Sequence, residues 1–450
     1  MPNDTVSRIV VAGDAPTAAL AGAALALSLR NSGVRVTIIT TPGSGDPVVA
    51  FTGGGSSLQA ALGIDGKLLT DIASVGLGTR YRGFGDAASN VFVPLGGHGK
   101  TLRLVDFHHY VAKLRAAGEG VEYNDYSLPA ACAEAGRLVM PSDERDAVRR
   151  TIGYDLYANS ALFTERMLGV ANQAGARHIE SGELAAQLDA SGLVTAVNID
   201  SGESIEADFF VDCSSQRAIS AAAQTDSQFD DWSEWLPHGT VTWSAAQPDE
   251  DPGPYMCADR TERGWRLTLS TRDGTFAADV SRGGAPNGNF RDHWVRNCVA
   301  IGTAATRLEP MEVTPLHFAD AGVRQLLAMM PRHPDNPALA AEFNRVMQIR
   351  AEDARDYQSL RYALTDADYA PPVSLQRRLQ LFRARGRYTK TSDGLLGKAR
   401  WISSLINFGA WPDAYDPLAD MIDEQRLRDD LARFRADIVH VTSRPDRVTH

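Results

Sequence analysis

A chain of 450 residues, 44% of them hydrophobic, exceeds one typical domain and holds enough apolar material for a large core. Its formal net charge of -11 argues against nucleic acid and against an anionic membrane surface, because an acidic face repels both. No apolar run approaches the roughly 20 residues that cross a bilayer, and Met1 to Arg8 lacks the basic start of a secretory signal, so a cytoplasmic protein is expected. The four cysteines, Cys132, Cys213, Cys257 and Cys298, have no CxxC spacing; they read as reduced packing residues, and no metal site is expected.

In chain order, the β-branched run Ile9 to Val11, a small-residue turn, an Ala/Leu-rich helical pattern to Arg30 and a second β-branched run from Val34 to Ile39 form a βαβ unit. From Val48 to Asp86 the chain is rich in Gly, Ser and Thr, with one helical stretch near Ser57 to Ile64, which predicts loop over a cavity. A helix is predicted around FHHYVAKLRAAG and another over Asp155 to Gly175. Strands near His178 to Ile179, Val194 to Ile199 and Ser204 to Val211 form a predicted meander, with a hairpin turn at Asp200 to Gly202. Thr240 to Ser244, Tyr255 to Ala258 and Trp265 to Ser270 predict a second sheet. Helices follow over Phe318 to Met330, Ala338 to Leu364, Ser374 to Arg383 and Gln425 to Val439. The fold expected is α/β: a Rossmann-like domain with a mixed β-sheet region, discontinuous within residues 1-330, and a C-terminal helical cap over 331-450.

A dinucleotide turn uses glycine for the tight turn, for backbone approach to the pyrophosphate and for helix-strand packing. Those three places fall on Gly13, Ala15 and Ala18. Ala15 adds a Cβ where the pyrophosphate approaches, and Pro16 removes a backbone donor nearby. The second strand ends at Thr40 and Thr41 instead of a ribose-binding carboxylate, which accepts stronger hydrogen bonds than a hydroxyl. The helix N-terminus still offers a phosphate its dipole and N–H groups. A βαβ unit that binds no nucleotide is the alternative reading of the same turn.

The segment NCVAIGTAATRLEPMEVTPLHFADAGVRQLLAMMP, Asn297 to Pro331, closely resembles the strand and helix that enclose the flavin pocket in the flavin-dependent tryptophan halogenase family. DLYANSALFTERMLGVANQAGARHI, IEADFFVDCSSQRA, EFNRVMQIRAEDARDYQSLRYALT and FGAWPDAYDPLAD support the resemblance in order and spacing, over nearly the whole chain. The resemblance implies a p-hydroxybenzoate-hydroxylase-like flavin fold and FAD delivered in reduced form by a separate flavin reductase. It also implies an oxygen-activated flavin attacked by chloride, and hypochlorous acid that reaches a Lys and, with a Glu, is directed onto a small aromatic or indolic substrate. By the same resemblance Asp212, Gly302 and Pro310 join Gly13, Ala15, Ala18 and Thr40 as candidate cofactor contacts.

Carried over residue by residue, the Lys falls on Gly76 in ASVGLGTRYRGF, and the Glu falls on Glu312. Arg80 and Arg82 lie close to Gly76, but a guanidinium does not readily give up its proton. One backbone donor of the halide site falls on Pro315, which has no N–H. Of the paired-Trp motif only Trp265 remains, in WRLTLS. The candidates are therefore Glu312 as catalytic base or orienter, and Trp265 and His317 as substrate contacts. Two of them have a plainer reading: a carboxylate at a helix N-terminus for Glu312 and a core aromatic for Trp265. The pair His108-His109 reads as a packed or surface feature, and Arg149-Arg150 and Arg377-Arg378 as solvated faces. The expected chemistry is a diverged oxidoreductase using reduced FAD and O2 without lysine-directed halogenation. The alternatives are a non-catalytic partner of an intact paralogue, with weakly bound or no FAD, and a halogenase with another proton donor.

Overall fold

The computed structural model describes residues 5–43, 45–53, 58, 62–64, 69–100, 105–139, 148–223, 228–247, 250–312, 315–389 and 393–443. The chain divides into two compact units. One comprises Met1–Ala73, Ala158–Thr240 and Arg282–Glu352, and the other Ser74–Tyr157, Val241–Ser281 and Asp353–His450. The division expected at residue 330 differs from this one: the 29-residue helix Pro337–Thr365 gives its first part to the first unit and its remainder to the second.

The first unit is built on β1 (Arg8–Asp14), α1 (Ala15–Leu29), β2 (Arg35–Thr41), β3 (Arg177–Glu180), β4 (Phe209–Cys213), β5 (Cys298–Ala300) and α2 (Pro315–Ala328). The sheet runs Trp294–Val295, β5, β4, β1, β2, β3, parallel except for the first pair. A parallel strand covered on both faces needs apolar side chains throughout, and β1 and β4 are buried along almost their whole length. Helix α1 is buried from Pro16 to Ala26, and its alanines let it lie against the sheet and against the helix Ser160–Gln173. A separate antiparallel meander, Leu184–Leu188, Val194–Ile199 and Ser204–Glu206, turns back at Asp200 to Gly202 as expected.

The second unit contains five neighbouring strands of one sheet in the order Gly274–Ser281, Gly264–Thr271, Met256–Arg260, Gly78–Arg82, Asn90–Pro94. Only the pair Met256–Arg260 and Gly78–Arg82 is parallel. Helices Phe107–Ala116, Val373–Arg385, Lys398–Asn407 and Glu424–Ser443 belong to this unit. Trp401 is fully buried on a helix that the sequence pattern did not announce.

Three expectations are corrected. The segment from Asp155 is a strand to Asn159, and the helix begins at Ser160, where the Asn159 side chain accepts from the N–H groups of Ala161 and Leu162 at 2.9 and 3.3 Å. Leu156, Tyr157 and Ala158 are all buried, so the strand lacks the alternation that would have announced it. The run Ser204 to Val211 is two strands, since Asp208 between them accepts from the N–H groups of Ser7 and Arg8. The residues near His178 belong to the main parallel sheet and not to the meander. Half of the helical stretch expected at Ser57 to Ile64, residues 57 and 59–61, falls outside the described residues.

Candidate functional site

At the end of β1, Gly13 pairs with Thr40 on one side and Cys213 on the other, and its φ is +136°. A Cβ built there would lie 2.3 Å from the backbone nitrogen of Ser214, so only glycine permits this approach of two backbones. Ser214 is fixed by Asp212, which is fully buried at the end of β4. One Asp212 oxygen accepts from Ser214 N–H at 2.9 Å and Ser214 Oγ at 2.5 Å; the other accepts from the N–H groups of Ile219 and Ser220 at 3.0 and 2.7 Å. Both oxygens of Asp212 thus serve its own loop. Ala18 is fully buried one turn into α1.

Asp14 follows Gly13 directly at the head of α1 but gives the helix no side-chain cap. Its carboxylate turns instead to Thr303 Oγ1, at 3.2 Å, and to Ser215, whose N–H and Oγ lie at 3.3 and 3.5 Å. Burial pushes its pKa upward from the ordinary carboxylate value, against the lowering effect of these hydrogen bonds. Gly302, with φ +68°, closes the same region: a Cβ there would meet the Thr17 methyl at 3.1 Å and Ala319 at 3.6 Å. Ala15 is half-buried in the turn.

The Thr40 hydroxyl is buried and shares a hydrogen bond of 2.8 Å with His178 Nε2 on the neighbouring strand β3. Burial lowers the pKa of His178, favouring the neutral ring. The structure therefore brings Gly13, Ala15, Thr40, Asp212 and Gly302 to one end of the sheet. The close turn at Gly13, with a helix start not capped by Asp14, has the features of a cradle for the diphosphate of a dinucleotide such as FAD, and these residues fit it.

Glu309 and Pro310 are buried. The Glu309 carboxylate takes both the backbone N–H of His238, at 3.1 Å, and His238 Nδ1, at 2.9 Å, with both side chains almost wholly buried. Glu312 is also buried and has a positive φ of 59°, a conformation that costs a non-glycine residue about 1–2 kcal/mol. Val313 and Thr314 fall outside the described residues. Helix α2 starts at Pro315, and His317 sits half-buried on its first turn.

In the second unit Gly76 ends the strand Ala73–Gly76, next to Asp155–Asn159 in one sheet. A Cβ at Gly76 would lie 2.2–2.4 Å from the ring and hydroxyl of Tyr157, so the phenol fills the space that any side chain at residue 76 would enter. Arg80 pairs with Glu134 at 2.5 Å and stacks near Phe92 and Tyr255, and Arg82 pairs with Asp259 at 2.5 Å. Trp265 is fully buried beneath Arg361, whose guanidinium lies 5.0 Å from its ring. His108 and His109 are buried, and with Asp106 they place three ligand-type atoms within 4.8 Å of one another. Hydrogen bonds of His108 to the Gly386 carbonyl and of the Asp416 N–H to His109, with the ion pair of Asp106 and Lys398, tie all three into the fold.

Sequence reasoning missed Asp14, Thr303, Tyr157 and the pair of Glu309 and His238. Only Asp14 carried a local signal, an acidic residue between two small ones in the turn.

The family model for tryptophan halogenases matches residues 8–282 and 270–424. Among curated proteins, the tryptophan 7-halogenase KtzQ of Kutzneria sp. (strain 744) is 31% identical over 222 residues, 42% of each chain. The tryptophan 7-halogenase RebH of Lentzea aerocolonigenes is 29% identical over 41% of this chain and 40% of its own length. The chain thus spans well under half the length of these two relatives. The solved structure of BrvH, a flavin-dependent halogenase from Brevundimonas sp. BAL3, superposes with a TM-score of 0.88 at 25% identity and covers 99% of this chain and 98% of its own. With a family match that takes in most of its length, the chain belongs to the tryptophan halogenase family.

Proposed function

We propose that this chain is a flavin-dependent oxidoreductase that acts on a small aromatic or indolic substrate without an amine at residue 76. The contact of Gly76 with Tyr157 carries this reading: a lysine cannot leave the backbone at residue 76 while the phenol stays in place. Gly13, the start of α1, the Asp212-held loop and Gly302 are the residues assigned to the dinucleotide, and His317 the one assigned to the substrate; Trp265, fully buried beneath Arg361, is a core aromatic instead. Bound FAD, reduced by a separate reductase, supplies two electrons, so that one atom of O2 enters the arene and the other leaves as water.

A second reading, halogenation with Glu312 as sole proton donor, is favoured by that carboxylate's retained place and burial, and by the names of the relatives. The test is a titration with oxidised and reduced FAD, followed by turnover with chloride, with bromide and without halide. A hydroxylated arene formed without halide supports the first reading, and a halogenated one the second. No binding at about 100 µM FAD, far weaker than a cofactor site requires, sinks both and leaves a non-catalytic partner of an intact paralogue.

A further inference from the structure

Asp14 places a carboxyl group, 8% exposed, at the junction of the Gly13 turn and α1. A dinucleotide diphosphate is drawn to the same helix end by its dipole and N–H groups. The diphosphate would then lie beside a buried carboxylate that turns from the helix start to Ser215 and Thr303. Like charges that close together resist joint ionisation, and one of them takes up a proton. A diphosphate stays ionised at any physiological pH, so the carboxyl group is the one that yields.

We propose that Asp14 is a proton-linked gate on dinucleotide binding: FAD binds with uptake of one proton at Asp14, and the ionised carboxylate weakens FAD. The inference rests on the flavin reading above. Geometry supplies the device. The carboxyl is held by Ser215 and Thr303, both able to accept as well as donate, so those hydroxyls can serve the neutral acid after protonation. Burial works in the same direction. Elements packed around the turn also carry Asp212, Arg217, Arg307, His178, His317 and Asp320. Asp212 is the charged group that leads in its influence on Asp14, and it too favours the protonated form. Arg307 donates to the Ser215 carbonyl at 3.1 Å.

The expected signature is an FAD affinity that falls as pH rises, by up to about tenfold per pH unit between the pKa of Asp14 in the free protein and its higher value in the complex. Flavin fluorescence titrations from pH 5 to 8.5 measure it on the full chain and on Asp14→Asn. Calorimetry in two buffers of different ionisation enthalpy counts the protons taken up. The asparagine variant should bind FAD at least tenfold more tightly than the natural chain at pH 8, with a flat pH profile. Absence of proton uptake by the natural chain across pH 5 to 8.5 overturns the proposal without any variant. So does an Asp14→Asn protein that keeps the natural pH slope. FAD binding that is present but independent of pH leaves the flavin reading standing and removes only the gate; no binding by either protein at any pH removes both.

Discussion

Gly13 and Gly76 both stand where a side chain is excluded, but what excludes it differs. At Gly13 the wall is backbone, the Ser214 nitrogen and the Cys213 carbonyl carbon, and φ is +136°. At Gly76 the wall is a side chain, the Tyr157 phenol, and φ is ordinary. A wall of backbone is part of the parallel sheet and moves only if the sheet moves. A wall of side chain can be exchanged by one further substitution. The turn at Gly13 is thus locked by the fold of its unit, whereas residue 76 is open to evolutionary change in either direction.

The largest effect expected from this contrast is Gly13→Ala. Overpacking and positive-φ strain each cost about 1–3 kcal/mol, so a loss of about 2–6 kcal/mol in urea unfolding is expected, with an unchanged m value. Ser214→Gly should give no relief, since the atoms in the way are main chain. Recovery of stability in the double variant would break the comparison.

Next in size is Gly76→Ala, with an expected cost of about 1–3 kcal/mol as the Tyr157 ring is forced from its place. In a Tyr157→Ala background the same change should be close to neutral, giving a coupling energy of at least about 1 kcal/mol in a double-mutant cycle. Additive costs in that cycle would mean that Tyr157 is not the wall, and the reading of Gly76 as a site filled from the side would fall with it.

This asymmetry also governs what could be read from the sequence. The βαβ unit was legible because a buried parallel strand writes itself as a continuous apolar run, Ile9 to Val11, and because α1 is buried through its alanines. The strand Asp155–Asn159 was hidden by the same rule, since Leu156, Tyr157 and Ala158 are all buried and continue without a break into helical spacing. Periodicity tells which face of an element is buried and never which distant residue it meets. The approach of Tyr157 to Gly76, the bond of His238 to Glu309 and the reach of Asp14 to Thr303 all join segments far apart in sequence. Gly13, Ala15, Thr40 and Gly302 could be placed by motif and resemblance because neighbouring strands of a parallel sheet end together.

The smallest expected effect has the opposite sign and isolates what the other two share. Gly169 lies on the exposed face of the helix Ser160–Gln173, with helical φ, and a Cβ there would meet nothing within 4 Å. Neither backbone nor side chain walls this position, so glycine brings only the entropy of its unfolded state. Gly169→Ala should stabilise the chain by about 0.5–1 kcal/mol, read as a higher urea midpoint at constant m. A destabilised Gly169→Ala would show that helix propensity and open space do not set the baseline against which Gly13 and Gly76 are measured. A stabilised one fixes that baseline below zero, so the cost of the walls at Gly13 and Gly76 is then larger than each single variant reports.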